Sequence, residues 1–439
     1  MYRRQPQAFP RCRAARIVES GTHRSIDAVW RMESARVIAS IARMTGDIGL
    51  AEDLAQDALV AALEQWPGSG VPENPGAWLV AVGKRRAIDA ARRRAMLERK
   101  HEELSTELAV QREMAEPDLD AAIDDPVGDD LLRLMFTACH PVLSVDARVA
   151  LTLRMLGGLT TGEIARAFLV PEATLAQRIV RAKRTLSEAR VPFEVPRGEE
   201  LNRRLESVLE VVYLIFNEGY SATEGDDWIR PVLCEDAMRL GRILAALAPD
   251  EPEVHGLVAL MEIQASRLHA RTGPTGEAIL LLDQDRSRWD QLLIRRGLAA
   301  LERAVGLGRA LGPYAIQAAI AACHARAGTP GETDWERIAA LYDALAQLVP
   351  SPVVELNRAV AFGMAFGPEA GLEIVDGLVA DGNLDRYHHL SAVRGDLLFR
   401  LGRKDEARVE FERAASLTMN TRERDVMSAR AAACKPEPG

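Results

Sequence analysis

The chain has 439 residues and a formal net charge of -9 at pH 7, a length that indicates several domains rather than one core. Hydrophobic residues make up 48% and aromatic residues 5% of a composition rich in Ala, Leu, Arg and Glu, which predicts an all-α protein. Five widely spaced cysteines without a CxxC pair argue against a disulfide framework and a cysteine-based zinc site, and no apolar run is long enough to span a membrane. We therefore expect a cytoplasmic protein.

The N-terminal part of the chain is predicted to hold a tail and a small helical domain. Residues 1–24 are basic and lack the apolar stretch of a signal peptide, so we expect them to be disordered. Residues 25–100 should form at least three helices, of which the second ends at Trp66. The third begins at Pro75, with Asn74 as its N-cap.

The charge of the chain changes sign after this third helix. Residues 84–100 hold eight Lys and Arg against two acids, whereas residues 101–130 hold eleven acids against one Arg. Because the acidic stretch also contains Pro and Gly, we interpret residues 101–128 as a linker.

Residues 129–192 are predicted to form a second small domain of four helices. Its last two helices, TTGEIARAF and PEATLAQRIVRAKRTLSEA, are short and long and are joined by the tight connection LVP. These are the proportions of a helix-turn-helix.

The rest of the chain is predicted to be a helical extension over residues 197–310, followed by tetratricopeptide-like repeats over residues 311–433. Five residues fall at the spacings of that repeat: Gly395, Leu398, Ala407, Phe411 and Ala414.

Three sets of polar residues are candidates for binding. Asp53, Gln56 and Asp57 share one side of the second helix, either as a solvated face or as a docking stripe for a basic partner. The basic third helix is either an exposed face or an electrostatic footprint for phosphates. Along the second helix of the helix-turn-helix, one side carries residues suited to base edges and the end carries residues suited to phosphates: Thr174, Gln177, Arg178 and Arg181, then Lys183 and Arg184.

The succession DIGLAEDLAQDALVAALEQWP, NPGAWLVAVGKRRAIDAARRR and GLTTGEIARAFLVPEATLAQRIVRAKRTL resembles the two domains of bacterial sigma factors of the extracytoplasmic-function (ECF) type. The segment YLIFNEGYSATEGDDWIRPVLCEDAMRL resembles the long helical extension of one subgroup of that family. Arg85 and Ala176 depart from the residues common in relatives, so the promoter sequence is not carried over.

The resemblance implies a subunit that binds RNA polymerase core and directs promoter-specific transcription initiation. Asp53, Gln56 and Asp57 would contact core polymerase. The residues implied to bind the minus 10 element are Trp78, Lys84, Arg85, Arg86, Arg92 and Arg93. The residues implied to bind the minus 35 element are Thr174, Gln177, Arg178, Arg181, Lys183 and Arg184. The extension would regulate or support this activity through a protein or peptide ligand.

Two other classes of protein fit the same patterns less completely. A stand-alone helix-turn-helix regulator with a helical-repeat sensor leaves the acidic stripe and linker without a role, and a repeat scaffold leaves both basic helices without one. An enzyme is not expected, because no P-loop, dinucleotide fingerprint or serine nucleophile motif is present, and we predict no cofactor.

No metal site is expected from the sequence. His388 and His389 are adjacent and should face two sides of one helix, which is a poor arrangement for chelation. The stretch Asn217–Tyr220, with Glu224, Asp226 and Asp227 nearby, is interpreted as a turn rather than a carboxylate site. His140 and His324, each beside a cysteine, are expected to be packed or capping residues.

Overall fold

The computed structural model describes residues 11–104, 127–168, 170–221, 229–273, 277–382 and 384–435. Within these ranges the chain forms eighteen α-helices and no strand, which confirms the predicted all-α fold. The chain divides into two compact units, Met1–Val211 and Val212–Gly439. None of the helices in the described ranges combines the length and the apolar character needed to cross a membrane.

The first unit contains both small helical domains that the sequence predicts. Its helices are α1 (Arg11–Thr45), α2 (Ile48–Ser69), α3 (Pro75–Leu104), α4 (Val127–Ala138), α5 (Val145–Met155), α6 (Thr161–Ala167), α7 (Glu172–Glu188) and α8 (Glu199–Tyr220), the last of which continues into the second unit. Helices α1, α2 and α3 pack against one another, and α7 packs against α5 and α6. Helix α7 also contacts α2, so the two domains belong to one compact unit.

Several helix boundaries differ from the predicted ones. Helix α1 begins at Arg11, whereas the sequence predicts a disordered segment up to residue 24; residues 1–10 lie outside the described residues. Helix α2 continues through Pro67 to Ser69 rather than ending at Trp66. Pro67 removes one backbone hydrogen bond, but Gly70 N still bonds to the Trp66 carbonyl, and Gly70, with a φ of 82°, ends the helix.

Other predicted starts and ends agree more closely. Helix α3 begins at Pro75, and Asn74 Oδ1 accepts a hydrogen bond of 3.0 Å from Ala77 N, which confirms the predicted N-cap. Helix α3 runs on to Leu104 and α4 begins at Val127, so both ends of the predicted linker are helical. Residues 105–126, the rest of that linker, lie outside the described residues.

Helix α8 joins the first unit through its N-terminal half. Arg204 Nη2 donates a hydrogen bond of 2.7 Å to the carbonyl of Phe136, and Ser207 Oγ donates one of 2.7 Å to the carbonyl of Cys139. These bonds explain why the units meet at Val211, inside α8, rather than at residue 197 where the sequence suggests that the extension begins.

The second unit is a succession of helices that contact their neighbours in chain order from α12 to α18. After the C-terminal half of α8 it contains α9 (Pro231–Leu247), α10 (Pro252–Ala265), α11 (Gln291–Gly306), α12 (Pro313–Arg326), α13 (Trp335–Leu348), α14 (Pro352–Ala365), α15 (Pro368–Asp381), α16 (His388–Arg400), α17 (Lys404–Leu417) and α18 (Thr421–Ala433). This order of packing is typical of helical-repeat proteins.

Small residues allow the paired helices of this unit to approach closely. A Cβ atom at Gly395 of α16 would lie 2.8 Å from Cε1 of Phe411 on α17. A Cβ atom at Gly371 of α15 would lie 3.0 Å from the Cα of Gly363 on α14. Phe411 and Ala407 are fully buried, as the repeat spacing predicts.

Candidate functional site

The acidic stripe lies on α2. Asp47 caps this helix by accepting hydrogen bonds from the backbone amides of Gly49 and Leu50. The side chains of Asp53 and Asp57 are 71% and 55% exposed, respectively. Gln56 is half-buried and donates a hydrogen bond of 2.7 Å from Nε2 to Glu52 Oε1. The stripe therefore presents two carboxylates to solvent, whereas its amide is engaged within the helix.

The basic residues of α3 differ in their exposure. Arg85, Arg92 and Arg93 are exposed, whereas Arg86 is half-buried and its Nη1 lies 3.1 Å from Asp57 Oδ2. Lys84 is also half-buried. Burial and the nearby charge of Arg43 lower the pKa of its ammonium group, against the opposing effect of Asp130.

Trp78 lies in the first turns of α3, next to an aromatic residue of α2. Its ring packs edge-on against Trp66, with 5.3 Å between the ring centroids, and it is half-buried. Trp66 is fully buried, so the pair joins α2 to α3 through apolar contact.

The helix-turn-helix consists of α6 and α7. Thr160 and Glu163 form a reciprocal capping box at the start of α6. On α7, the buried residues Leu175, Ile179, Ala182 and Leu186 face the domain core. The opposite face of α7 exposes Thr174, Gln177, Arg181 and Arg184.

The remaining two candidates on α7 contact carboxylates. Arg178 Nη2 lies 3.4 Å from Asp146 Oδ2 on α5. Lys183 Nζ lies 2.5 Å from Glu52 Oε2 and 3.5 Å from Asp53 Oδ1, both on α2. Lys183 is therefore turned towards the acidic helix in this arrangement.

Glu52 is the centre of the contact between α2, α5 and α7. Its side chain is only 4% exposed and accepts a hydrogen bond of 2.7 Å from Arg154 Nε, in addition to the ion pair with Lys183. Burial raises the pKa of this carboxyl, but the charges of Lys183 and Arg154 outweigh burial and leave the pKa below its ordinary value of 4.5. The carboxylate form is thus stabilised inside the contact.

Two further ion pairs link helices that come from the two small domains. Arg31 Nη2 of α1 lies 2.5 Å from Glu163 Oε1 of α6, and Arg43 Nε of α1 lies 3.1 Å from Asp130 Oδ2 of α4.

Sequence reasoning did not select Glu52. The signal was available, because Glu52 shares the helix side of Ile48 and Ala55, which are both buried.

Cys139 and His324 are packed, which for His324 agrees with the expectation from the sequence. Cys139 is buried, and burial raises the pKa of its thiol to about 11. His324 packs edge-on against Trp335, and burial, with the charges of Arg267 and Arg286, lowers the pKa of its imidazole to about 4. The turn predicted at Asn217–Tyr220 is wrong, because these residues form the last turn of helix α8; Glu224, Asp226 and Asp227 lie outside the described residues.

The prediction that His388 and His389 face two sides of one helix is wrong. The two rings lie 3.9 Å apart between centroids, and one nitrogen of each lies within 4.8 Å of an oxygen of Glu423. They are the first two residues of α16, and Glu423 lies in the first turn of α18, so the helix packing brings both rings to one place.

Comparison with known protein families decides the identity of these domains. Residues 30–96 match the model for Sigma-70 region 2, and residues 133–186 match the model for Sigma-70, region 4. The chain belongs to the sigma-70 family, as a sigma factor of the ECF type. It directs transcription initiation. Residues 204–305 of this sigma factor match a Family of unknown function (DUF6596).

Relatives of the sigma factor include proteins that match most or part of its length. "Uncharacterized protein R00370" of Rhizobium meliloti (strain 1021) is 44% identical over 88% of this chain and 90% of that protein. "Probable ECF RNA polymerase sigma factor SigI" of Mycobacterium tuberculosis, in strains CDC 1551 / Oshkosh and H37Rv, is 28% identical over 39% of this chain and 58% of that protein. The similarity to the first relative thus extends into the helical extension.

Proposed function

We propose that this sigma factor binds RNA polymerase core through α2 and binds the two elements of a promoter through α3 and α7. The observation that carries the proposal is the separation of exposed charges. Asp53 and Asp57 present carboxylates on α2, whereas α3 and α7 present exposed arginines. A protein with a net charge of -9 can bind DNA in this way, because the basic surfaces are local.

The minus 10 element is proposed to bind along α3. Arg85, Arg92 and Arg93 are exposed and available to phosphates, and the Trp78 ring offers a surface for an unpaired base. Lys84 and Arg86 are half-buried, so we assign them a supporting electrostatic role. Each phosphate neutralised in this way releases counterions and makes the affinity dependent on salt.

The minus 35 element is proposed to bind α7 in the major groove. Gln177 and Arg181 are exposed and have side chains that can read base edges with two hydrogen bonds, and Thr174 adds a hydroxyl near the N-terminus of the helix. Arg184 and Lys183 are assigned to phosphates, and Arg178 to either.

These assignments require the contact between α2 and α7 to open. Lys183 is engaged by Glu52 and Asp53, so one surface carries a residue proposed for DNA and a residue proposed for core polymerase. We propose that core binding at Asp53 replaces the Lys183 ion pair and releases α7 towards DNA.

The helical extension is proposed to regulate or support initiation by binding a protein or peptide, because helical solenoids present extended concave surfaces. We propose that the sigma factor makes no covalent bond itself and acts in the cytoplasm. A helix-turn-helix regulator that works without polymerase is the alternative.

Run-off transcription with purified core polymerase on a cognate promoter separates these two functions. Initiation that depends on this protein supports the proposal. DNA binding by the protein alone, without association with core, would instead support the regulator.

The contact with core is tested by charge reversal. Asp53→Lys and Asp57→Lys together should abolish core binding in the absence of DNA, whereas Glu64→Lys, an exposed change on the same helix, should not. Because Asp57 also pairs with Arg86, the double variant Asp57→Arg, Arg86→Asp restores the internal ion pair with its signs exchanged. If this double variant binds core polymerase as well as the native chain does, Asp57 acts only through its ion pair with Arg86 and does not contact core polymerase.

The role of the extension is tested by truncation after Ser221, which keeps α8 and its bonds to the first unit. We expect retained core binding with reduced promoter-dependent transcription. Full transcription by the truncated protein would contradict a role for the extension.

A further inference from the structure

The extension contains a group of side chains with the chemistry of a metal site. His388 and His389 open α16, and Glu423 is the third residue of α18. One ligand atom from each of these residues lies within 4.8 Å of the other two. The side chains of His388 and Glu423 are 20% and 15% exposed.

His388 and Glu423 already place two ligand atoms side by side. His388 Nε2 is buried and lies 2.9 Å from Glu423 Oε2. A buried polar atom usually has a partner, because leaving it unsatisfied costs about 1–3 kcal/mol. This contact keeps both groups in one place, where a single cation can reach both.

The donor set distinguishes between kinds of cation. Calcium and magnesium prefer sets of oxygen ligands. Two imidazole nitrogens and one carboxylate oxygen are the three protein ligands of one class of zinc site, in which the fourth coordination position is taken by water or substrate. With bonds of about 2.0–2.1 Å and tetrahedral angles, such ligand atoms lie about 3.3 Å apart. The 2.9 Å between His388 Nε2 and Glu423 Oε2 would widen slightly, and the longer spacings, all within 4.8 Å, would shorten through side-chain rotation.

We propose that His388, His389 and Glu423 bind one divalent transition-metal ion, of which Zn²⁺ fits the donor set best. This site is independent of the promoter-binding function and lies within the second unit.

The surroundings hold the carboxylate ligand in position. Thr418 Oγ1 donates a hydrogen bond of 2.7 Å to Glu423 Oε2, and Asn420 Oδ1 accepts one of 3.3 Å from Glu423 N. Ligating carboxylates in metal sites are typically held by such hydrogen bonds. The Tyr387 ring packs edge-on against His389, with 5.0 Å between centroids.

A cavity of about 460 Å³ adjoins the three residues. Its other lining residues are largely apolar and include Leu281, Val393 and Met427. An ion at this site can therefore take a fourth ligand from the cavity, either water or a polar group of a small molecule whose apolar part fills the remaining space.

Calorimetric titration of the full, chelator-treated chain with Zn²⁺ tests the proposal. We expect one site per chain in the native protein and in the control variant His269→Ala, whose imidazole is exposed elsewhere in the extension. The site should be lost in His389→Ala and in the conservative variant Glu423→Gln. Thr418→Val should weaken binding about 10- to 100-fold, because it removes the bond that positions the ligand.

Titration with Co²⁺ adds a readout of geometry, since visible absorption reports tetrahedral coordination by the same residues. Circular dichroism checks the fold, and Glu423→Gln decides the result if His389→Ala does not fold. The proposal is overturned if the native chain binds no Zn²⁺, or if the folded variants bind it with unchanged stoichiometry and affinity.

Discussion

Replacing Glu52 by Gln should weaken the contact between the two sigma domains. The change keeps the shape of the side chain but removes its charge from a site that is 4% exposed. Lys183 loses its ion pair with Glu52 at 2.5 Å and keeps the longer one with Asp53 at 3.5 Å, and the bond from Arg154 loses its charged acceptor. Gln also places an NH₂ group, which is a hydrogen-bond donor, against one of these cations. Neither Lys nor Arg has an acceptor for that donor.

The magnitude follows from the burial of the three groups. Removing one partner of a fully buried ion pair costs about 3–5 kcal/mol, and a hydrogen bond to a charged group contributes about 1.5–3 kcal/mol. The side chains of Lys183 and Arg154 remain 19% and 22% exposed, so water compensates part of the loss. We expect a cost of about 2–3 kcal/mol, which shifts the equilibrium towards separated domains about 30- to 150-fold.

Fluorescence energy transfer between labels at Val60 on α2 and Val180 on α7 measures this separation, because both positions are exposed. In a urea titration, Glu52→Gln should lose transfer at a lower urea concentration than the native chain. Glu64→Gln removes an exposed charge from the same helix and should leave the midpoint unchanged. If the midpoints of Glu52→Gln and the native chain coincide, the ion pairs do not hold the domains together.

Three other predictions concern pH, packing and salt. The charges of Lys183 and Arg154 outweigh burial and lower the pKa of Glu52. The contact between α2 and α7 should therefore be at full strength above pH 4.5 and weaken as the pH falls below it. Energy transfer between the same two labels would measure this loss. Gly395→Ala should lower the free energy of unfolding, measured by chemical denaturation, by about 1–3 kcal/mol, because the new Cβ collides with Phe411. The control Gly377→Ala in α15, where a Cβ meets no atom within 4 Å, should raise it by about 0.5–1 kcal/mol. Replacing Arg92 and Arg93 by Ala should reduce the slope of log affinity against log salt concentration by about 1.4 in magnitude if both residues contact single-stranded phosphates. Fluorescence anisotropy of polymerase holoenzyme on promoter DNA measures this slope. An unchanged slope would show that neither residue lies in the DNA interface.

Helical periodicity was sufficient to predict that several of the candidate residues are exposed. Asp53 and Asp57 on α2, and Gln177 and Arg181 on α7, are exposed as the spacing of apolar residues indicates. The same reasoning did not extend to the ends of helices. The passage of α2 through Pro67 depends on small free-energy differences within a single turn.

The sequence by itself determined the all-α fold, the order of the two sigma domains and the separation of acidic from basic helices, because these properties depend on residues close together in the chain. Only the tertiary structure decided that Lys183 meets Glu52, which lies 131 positions away by residue number, and that His388 and His389 meet Glu423. Such contacts depend on how helices pack, and packing is set by side-chain volumes across a whole core rather than by any local pattern.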